Sequence, residues 1–335
     1  MPKSRLLLVA PALAAVSVLA LAGCAGGASA SPSSSDEFTI VTSTNVYGQI
    51  AQEIAGDAIT VTPIITSNSQ DPHEFEASPA DQITVRAANL IIENGGGYDA
   101  FMDTLISGSG SEAPVIVAAE YSHAWPEGEA GDTDTEALEE SPHSEEDHAE
   151  AQDADGHSHI EGFNEHVWYD QDTIKNVTAA IAQELSAQLP DQADTFEANA
   201  AAFTEKLEAL QSSLADIKTA HAGEGVFVTE PVPGYMIEAA GLENVTPSEF
   251  SEAVEEGQDV PPATLLTALN LIGSGDVKLL IANSQAAGAE TTQTIDAAGT
   301  AGVPVLEFSE TLPDDQTYVQ WMQQNIEDIA TALGS

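Results

Sequence analysis

Gln192-Ala-Asp-Thr-Phe-Glu-Ala-Asn-Ala-Ala-Ala-Phe-Thr-Glu-Lys-Leu-Glu-Ala-Leu-Gln-Ser-Ser-Leu-Ala-Asp-Ile-Lys-Thr-Ala220 is rich in Ala, Glu, Gln and Leu at helical spacing. As one helix of roughly 30 residues it reaches ~45 Å at 1.5 Å per residue, about the span of two small lobes. Pro190-Asp191 separates it from a shorter helical stretch, Asp172 to Leu189, with Asp191 placed to cap the long helix. On either side of this pair the pattern alternates. Before it, predicted strands at 38–42, 58–65, 90–93 and 114–118 are separated by predicted helices at 46–55, 79–88 and 99–106. After it, predicted strands at 226–229, 277–282 and 304–307 intersperse with helices at 235–240, 263–272, 290–298 and 318–333. Such alternation implies right-handed βαβ units and mainly parallel sheets. The expected architecture is α/β: two lobes, each a four-stranded, mainly parallel sheet flanked by helices, joined by a long rigid helix. No internal sequence repeat relates the halves.

The chain has 335 residues, of which 42% are hydrophobic and 19% charged, enough for a sizeable core. Its 7 Lys and Arg face 55 Asp and Glu, a formal charge of −48. A surface this negative repels phosphate backbones and anionic lipid headgroups and concentrates cations. With basic residues scattered singly, nucleic-acid binding is excluded. Composition alone does not separate a cation-handling role from adaptation to salt.

The one cysteine, Cys24, leaves no intrachain disulfide and no thiolate metal cluster. Lys3 and Arg5 precede an apolar run, Leu6 to Leu21, which ends in Leu21-Ala22-Gly23-Cys24. This is the pattern of a secretory signal peptide over residues 1–23. Leu-Ala-Gly-Cys resembles the bacterial lipobox, which makes Cys24 the lipidated first residue of a chain anchored to the outer face of the cell membrane. Residues 24–36 then form a flexible tether. The alternative, an uncleaved anchor, meets a run short for a ~30 Å hydrocarbon core and lacking a basic flank. The remaining boundaries expected are a first lobe at 37–190, a connecting helix at 191–221 and a second lobe at 222–335.

Within the first lobe the alternation collapses between Glu127 and Glu165, which hold 15 acidic residues, no Lys or Arg, and His143, His148, His157 and His159. Such a segment buries too little apolar surface to offset its ordering entropy, so a mobile loop is expected at 127–162.

In open parallel sheets, ligands bind beyond the carboxyl ends of the strands. The second predicted strand leads into Asp71-Pro72-His73-Glu74-Phe75-Glu76-Ala77-Ser78-Pro79-Ala80-Asp81. There Ser78, Pro79 and Asp81 compose a helix start that holds His73 in place. The acidic stretch ends in Asn164-Glu165-His166-Val167-Trp168-Tyr169-Asp170, placing His166 at the edge of an ordered segment. The strand at 226–229 delivers Glu230-Pro231-Val232-Pro233, and the strand at 277–282 delivers Asn283-Ser284-Gln285. Two imidazoles and a carboxylate suit Zn(II), Mn(II), Fe(II), Ni(II) or Cu(II). Alone, each residue has a plainer reading as a loop or capping side chain, and the pattern by itself supports no more than a candidate metal cleft. His123 and His221 read as structural, the latter closing the long helix where a cation favours the dipole.

From about Phe38 to Leu333 the chain resembles the zinc/manganese substrate-binding lipoproteins of bacterial ABC importers. The segment 71–81 is similar to that family's Asp-Pro-His-x-Phe-Glu/Gln-x-Ser-Pro-x-Asp motif, and Glu165-His-Val-Trp-Tyr-Asp170 to its second His motif. Ile92-Glu-Asn-Gly-Gly-Gly-Tyr98 resembles its Asn-Gly turn. The resemblance implies a metal site in the cleft between the lobes, with His73 and His166 as ligands and Glu230 in the carboxylate variant of the third position. It also implies a fourth ligand, Asp in manganese-type members, after the strand at 277–282, where this chain has no acid. Asn283 or Gln285 as a weak oxygen donor, Glu230 through both oxygens, or water are the alternatives. The His-rich loop resembles that of the zinc-preferring branch, so His143, His148, His157 and His159 are expected to capture zinc and pass it inward; a solvated spacer is the plainer alternative. Zn2+ is expected ahead of Mn2+, with an ABC permease as partner, a monomeric chain and no enzymatic activity.

Two rivals come from other classes. A secreted zinc hydrolase also uses two His, a Glu and an open position, but His-Glu-x-x-His and Gly-x-Ser-x-Gly are both missing. A surface adhesin on the same fold is the other.

Overall fold

The computed structural model describes residues 38–68, 70–126, 160, 162–286 and 288–334. The expectations for Cys24, His143, His148, His157 and His159, and for the leader and tether, concern residues outside these.

The first lobe runs β1 (Thr39–Thr44), α1 (Asn45–Ala55), β2 (Thr60–Ile65), α2 (Pro79–Arg86), β3 (Leu90–Glu93), α3 (Phe101–Ser109) and β4 (Val115–Val117). Two helices follow, α4 (Gln171–Gln188) and α5 (Ala193–His221). The second lobe runs β5 (Gly225–Val228), α6 (Gly234–Ala239), β6 (Glu243–Asn244), α7 (Ser248–Glu255), α8 (Pro262–Ile272), β7 (Val277–Asn283), α9 (Ala289–Ala301), β8 (Val305–Phe308) and α10 (Tyr318–Leu333). The sheets are ordered β2-β1-β3-β4 and β6-β5-β7-β8, with every pairing parallel. Counted within each lobe, both orders are second-first-third-fourth. The halves thus share a topology without a sequence repeat, and each has a switch point where its chain direction reverses across the sheet.

Local chemistry sets the helix starts that matter for the site. Ser78 and Asp81 form a reciprocal capping box on α2, with Pro79 inside the first turn. Asp170 accepts from the backbone N–H of Asp172 and Thr173 and fixes the start of α4. The expected cap at Asp191 is not made: a 3-10 turn, Pro190–Gln192, feeds α5, and Gln192 takes the cap position without a side-chain bond. Two elements of the second lobe, β6 and α7, escaped the periodicity reading. β6 is two exposed residues, and α7 is eight residues opened by Pro247 without a side-chain cap.

The 29-residue α5 buries one stripe, Phe196, Ala200, Phe203, Leu207, Leu210, Leu214 and Ile217. This stripe joins a core cluster that also takes in Ile40 and Ile92 from the first sheet and Val228 and Ile281 from the second. The lobes are therefore sewn together by a common apolar interior. Polar stitches reinforce it. Asn45 donates to Leu312 O and accepts from Leu312 N at 2.9 and 3.0 Å, and the Tyr318 hydroxyl donates to Trp168 O at 2.6 Å. Among the described residues no helix is long and apolar enough to cross a membrane.

Candidate metal centre

His73 lies in the β2–α2 loop, where its backbone N–H donates to the Asp71 carboxylate at 2.9 Å. Its ring meets Tyr98 edge-on with centroids 5.0 Å apart, and the His166 ring centroid is 6.1 Å away. Tyr98 also packs on Trp168 at 4.5 Å, so one buried aromatic shelf carries both imidazoles.

The shelf depends on the turn Asn94-Gly95-Gly96-Gly97. All three glycines have positive φ, at 74°, 70° and 99°. A Cβ on Gly95 would sit 2.3 Å from Val117 Cγ1, and one on Gly96 2.8 Å from Phe163 Cε1. Asp99 secures the turn by accepting from the N–H of Asn94 and Gly95 at 2.7 and 2.8 Å. Asn94 in turn accepts from the Tyr47 hydroxyl and donates to Glu165 O at 2.9 Å, fixing the segment that carries His166.

His166 is fully buried. Its Nδ1 lies 2.8 Å from Oδ1 of Asn164, whose Nδ2 donates to Pro231 O in the second lobe at 3.0 Å. That second bond sets which end of the amide is oxygen. Nδ1 therefore carries the proton, which makes Nε2 the ring nitrogen with the lone pair.

From the second lobe come two acids. Glu230 follows β5 and Glu310 follows β8; they are 4% and 2% exposed. The Nδ2 of Asn283, the last residue of β7, donates to both, at 2.7 Å to Glu230 Oε2 and 2.6 Å to Glu310 Oε1. Each acid keeps one oxygen without a hydrogen bond, Oε1 of Glu230 and Oε2 of Glu310. Oε2 of Glu310 lies 3.8 Å from Nε2 of His73. A third acid, Glu255 at the end of α7, places Oε1 3.9 Å from Nδ1 of His166. His73, Glu230, Glu255 and Glu310 line one cavity of about 510 Å³, whose wall also includes Asp71 and Gln285.

The fourth position differs from the sequence expectation. Asn283 presents its amide nitrogen to the carboxylates, while its Oδ1 accepts from Gln285 N at 3.0 Å. Gln285 Oε1 accepts from the N–H of Glu310 and Thr311 at 2.6 and 3.1 Å. Both side-chain oxygens accept hydrogen bonds, so in this arrangement Asn283 and Gln285, the latter in the cavity wall, position the acids. The acid expected after β7 stands after β8, as Glu310. The rule that found the other residues, inspection of the polar position just past each strand, reaches Glu310 once it is applied to the strand at 304–307. Glu255 had no such signal, because its helix was not foreseen. His123 and His221 lie apart from the cavity lining: His123 is 3.4 Å from Asp170, and His221 ends α5 3.3 Å from Glu224.

The buried acids strain one another electrostatically. Burial, opposed by the Asn283 bond and joined by the charge of Asp71, pushes the Glu230 carboxyl up to about 7. Burial, then the neighbouring acids Glu165, Glu230 and Glu310, pushes Glu255 up to about 10. Glu310 is raised well above the carboxylate range by burial and by Glu230 and Asp71. Three carboxylates that resist ionisation together, beside two imidazoles, gain most from a divalent positive charge.

The profile of one protein family, "ZnuA: Zinc-uptake complex component A periplasmic", matches residues 40–332. The chain belongs to this family. The "Manganese-binding lipoprotein MntA" of Halalkalibacterium halodurans is 23% identical over 333 residues, 95% of this chain and 96% of that protein. The "High-affinity zinc uptake system protein ZnuA" of Yersinia pestis is 27% identical over 213 residues, 64% of this chain and 66% of that one. A solved structure titled "Crystal structure of ZnuA" is similar in fold, with a TM-score of 0.66 at 19% identity, covering 89% of this chain and 99% of its own. Relatives thus handle both zinc and manganese, and the family is one of metal uptake.

Proposed function

We propose that this chain captures one divalent transition cation outside the cytoplasmic membrane, zinc ahead of manganese, and delivers it to an ABC permease. The observation that carries the reading is the position of His73, whose Nε2 lies 3.8 Å from Glu310 and whose ring centroid lies 6.1 Å from that of His166, on a cavity also lined by Glu230, which Asn283 links to Glu310. Two neutral imidazoles and two carboxylates balance the charge of a dication and offer four donors, the number zinc takes. Nitrogen and oxygen sites bind zinc more tightly than manganese by the Irving–Williams order.

The surrounding residues serve that set. Asn164 holds His166 in the ligating tautomer, Asn283 spaces the two acids, and Gln285 grips the backbone of Glu310. The strongly negative chain draws cations towards the cleft. Cys24 supplies the lipid anchor, and His143, His148, His157 and His159 catch zinc before it reaches the cleft. Unloading follows from proton competition and from the permease's own grip.

The test is equilibrium metal titration of the mature domain beside an esterase and phosphatase screen. One cation per chain without turnover is expected, and His73→Ala and His166→Ala should each abolish tight zinc binding. Wild-type affinity in both variants would refute the site. Elemental analysis of protein from its own host, with and without residues 127–162, reads the physiological metal and the part played by the loop.

A further inference from the structure

We propose that Glu255 is an additional ligand of the cation and sets how well the cleft accepts manganese. This rests on the reading of the cleft as a cation site. One carboxylate oxygen of Glu255 and one ring nitrogen each of His73 and His166 lie within 4.8 Å of one another, the tightest grouping of metal-capable side chains among the described residues. Donors bound at about 2.1 Å to a common ion lie roughly 3–4 Å apart, so an ion held by Nε2 of His166 is reached once the Glu255 carboxylate, now 3.9 Å from Nδ1, turns about the edge of the ring. The Glu255 side chain is 11% exposed and its Oε1 makes no hydrogen bond, whereas its neighbours Glu252 and Glu256 are exposed.

Nothing in folding favours this placement. A carboxylate on the last turn of a helix opposes the helix dipole. The charges of Glu165, Glu230 and Glu310 add to the cost of burial there, and the described ion pairs of Lys175 and Lys206 are made elsewhere, with Asp172 and Glu53. An acid held where charge, dipole and burial all disfavour it gains its reason from a bound dication.

The consequence is selectivity. His73, His166, Glu230 and Glu310 already complete the four-coordinate set that suits zinc. A fifth donor, and an oxygen, raises the coordination number towards what manganese prefers. Glu255 should therefore matter more to manganese than to zinc.

The experiment compares the mature domain with Glu255→Gln, Glu255→Ala and, as control, Glu256→Gln. Each is titrated with Zn(II) alone and Mn(II) alone against a chelator, and the manganese-loaded proteins are examined by X-ray absorption. The expected result is a manganese affinity about 10–100-fold lower in both Glu255 variants, a zinc affinity within about threefold, and one oxygen fewer around manganese. The control should match wild type. Since removing a buried acid relieves repulsion, metal-free Glu255→Gln should melt no lower than wild type, which guards against misfolding as the cause. Unchanged manganese affinity and coordination, or equal losses for both metals, overturn the assignment. If His73→Ala and His166→Ala also bind as wild type, the cleft reading falls with it; if they lose the metal while the Glu255 variants are silent, only this inference falls.

Discussion

The metal-free chain should lose stability as pH rises, opposite to its zinc-loaded form, and Glu230 gives the size of the effect. Its carboxyl is pushed up to about 7 in the folded, metal-free chain, from an ordinary value of 4.5. A raised folded value means the stabilising state is the protonated one. Its contribution is complete below about 4.5 and is lost as pH rises through about 7. The shift corresponds to about 3 kcal/mol for this one group. For a folded unit of this size, with roughly 0.6 kcal/mol/K of unfolding entropy, that is about 5 °C in the melting midpoint. Glu310 and Glu255 act in the same direction. The assay is thermal melting of the chelator-treated mature domain at pH 5, 6, 7 and 8, with and without saturating zinc, in wild type and Glu230→Gln. Metal-free wild type should melt higher at pH 5 than at pH 8. Zinc needs the carboxylates ionised, so the gain on loading should grow with pH. General repulsion among 55 acids also eases in acid, and Glu230→Gln subtracts that background. A pH profile in Glu230→Gln that parallels wild type would refute the assignment of the protons to this residue.

Three further outcomes are expected. Asn283→Ala takes away the donor shared by Glu230 and Glu310 and should lower zinc affinity about 10–100-fold in chelator competition, with stoichiometry unchanged. Gly95→Ala must accept a φ of 74° and a Cβ 2.3 Å from Val117, and should cost at least about 1–3 kcal/mol in denaturant unfolding. Zinc association measured by stopped flow should slow steeply between about 0.01 and 0.15 M salt, while dissociation changes little, because the net field acts on encounter.

The architecture was legible because its elements are long and periodic. The stripe on α5 and the strand–helix alternation on either side of it are strong, local signals. His73 and His166 stood out as candidates because each sits in a motif whose neighbours have jobs that can be named, while their role as ligands came from the family resemblance alone. Ser78, Pro79 and Asp81 start a helix, and Asp170 caps another. Glu310 was not among the candidates because attention fell on Asn283, and spacing along the chain does not say that its amide feeds two acids 53 and 27 residues away. Glu255 was out of reach altogether. Its helix is too short for a periodicity to build, and its approach to His166 exists only once the two sheets are packed.

The apolar interior common to both sheets has a mechanical consequence. Swinging the halves apart like a clamshell would expose the α5 stripe and the Tyr318–Trp168 stitch to water, and each 400 Å² of apolar area so uncovered costs roughly 10 kcal/mol. The short helix ending in Glu255, with the exposed turn behind it, can yield at a fraction of that expense. The frame of such a molecule is stiff, and α7 with the turn behind it is the part of the cavity wall that yields most cheaply.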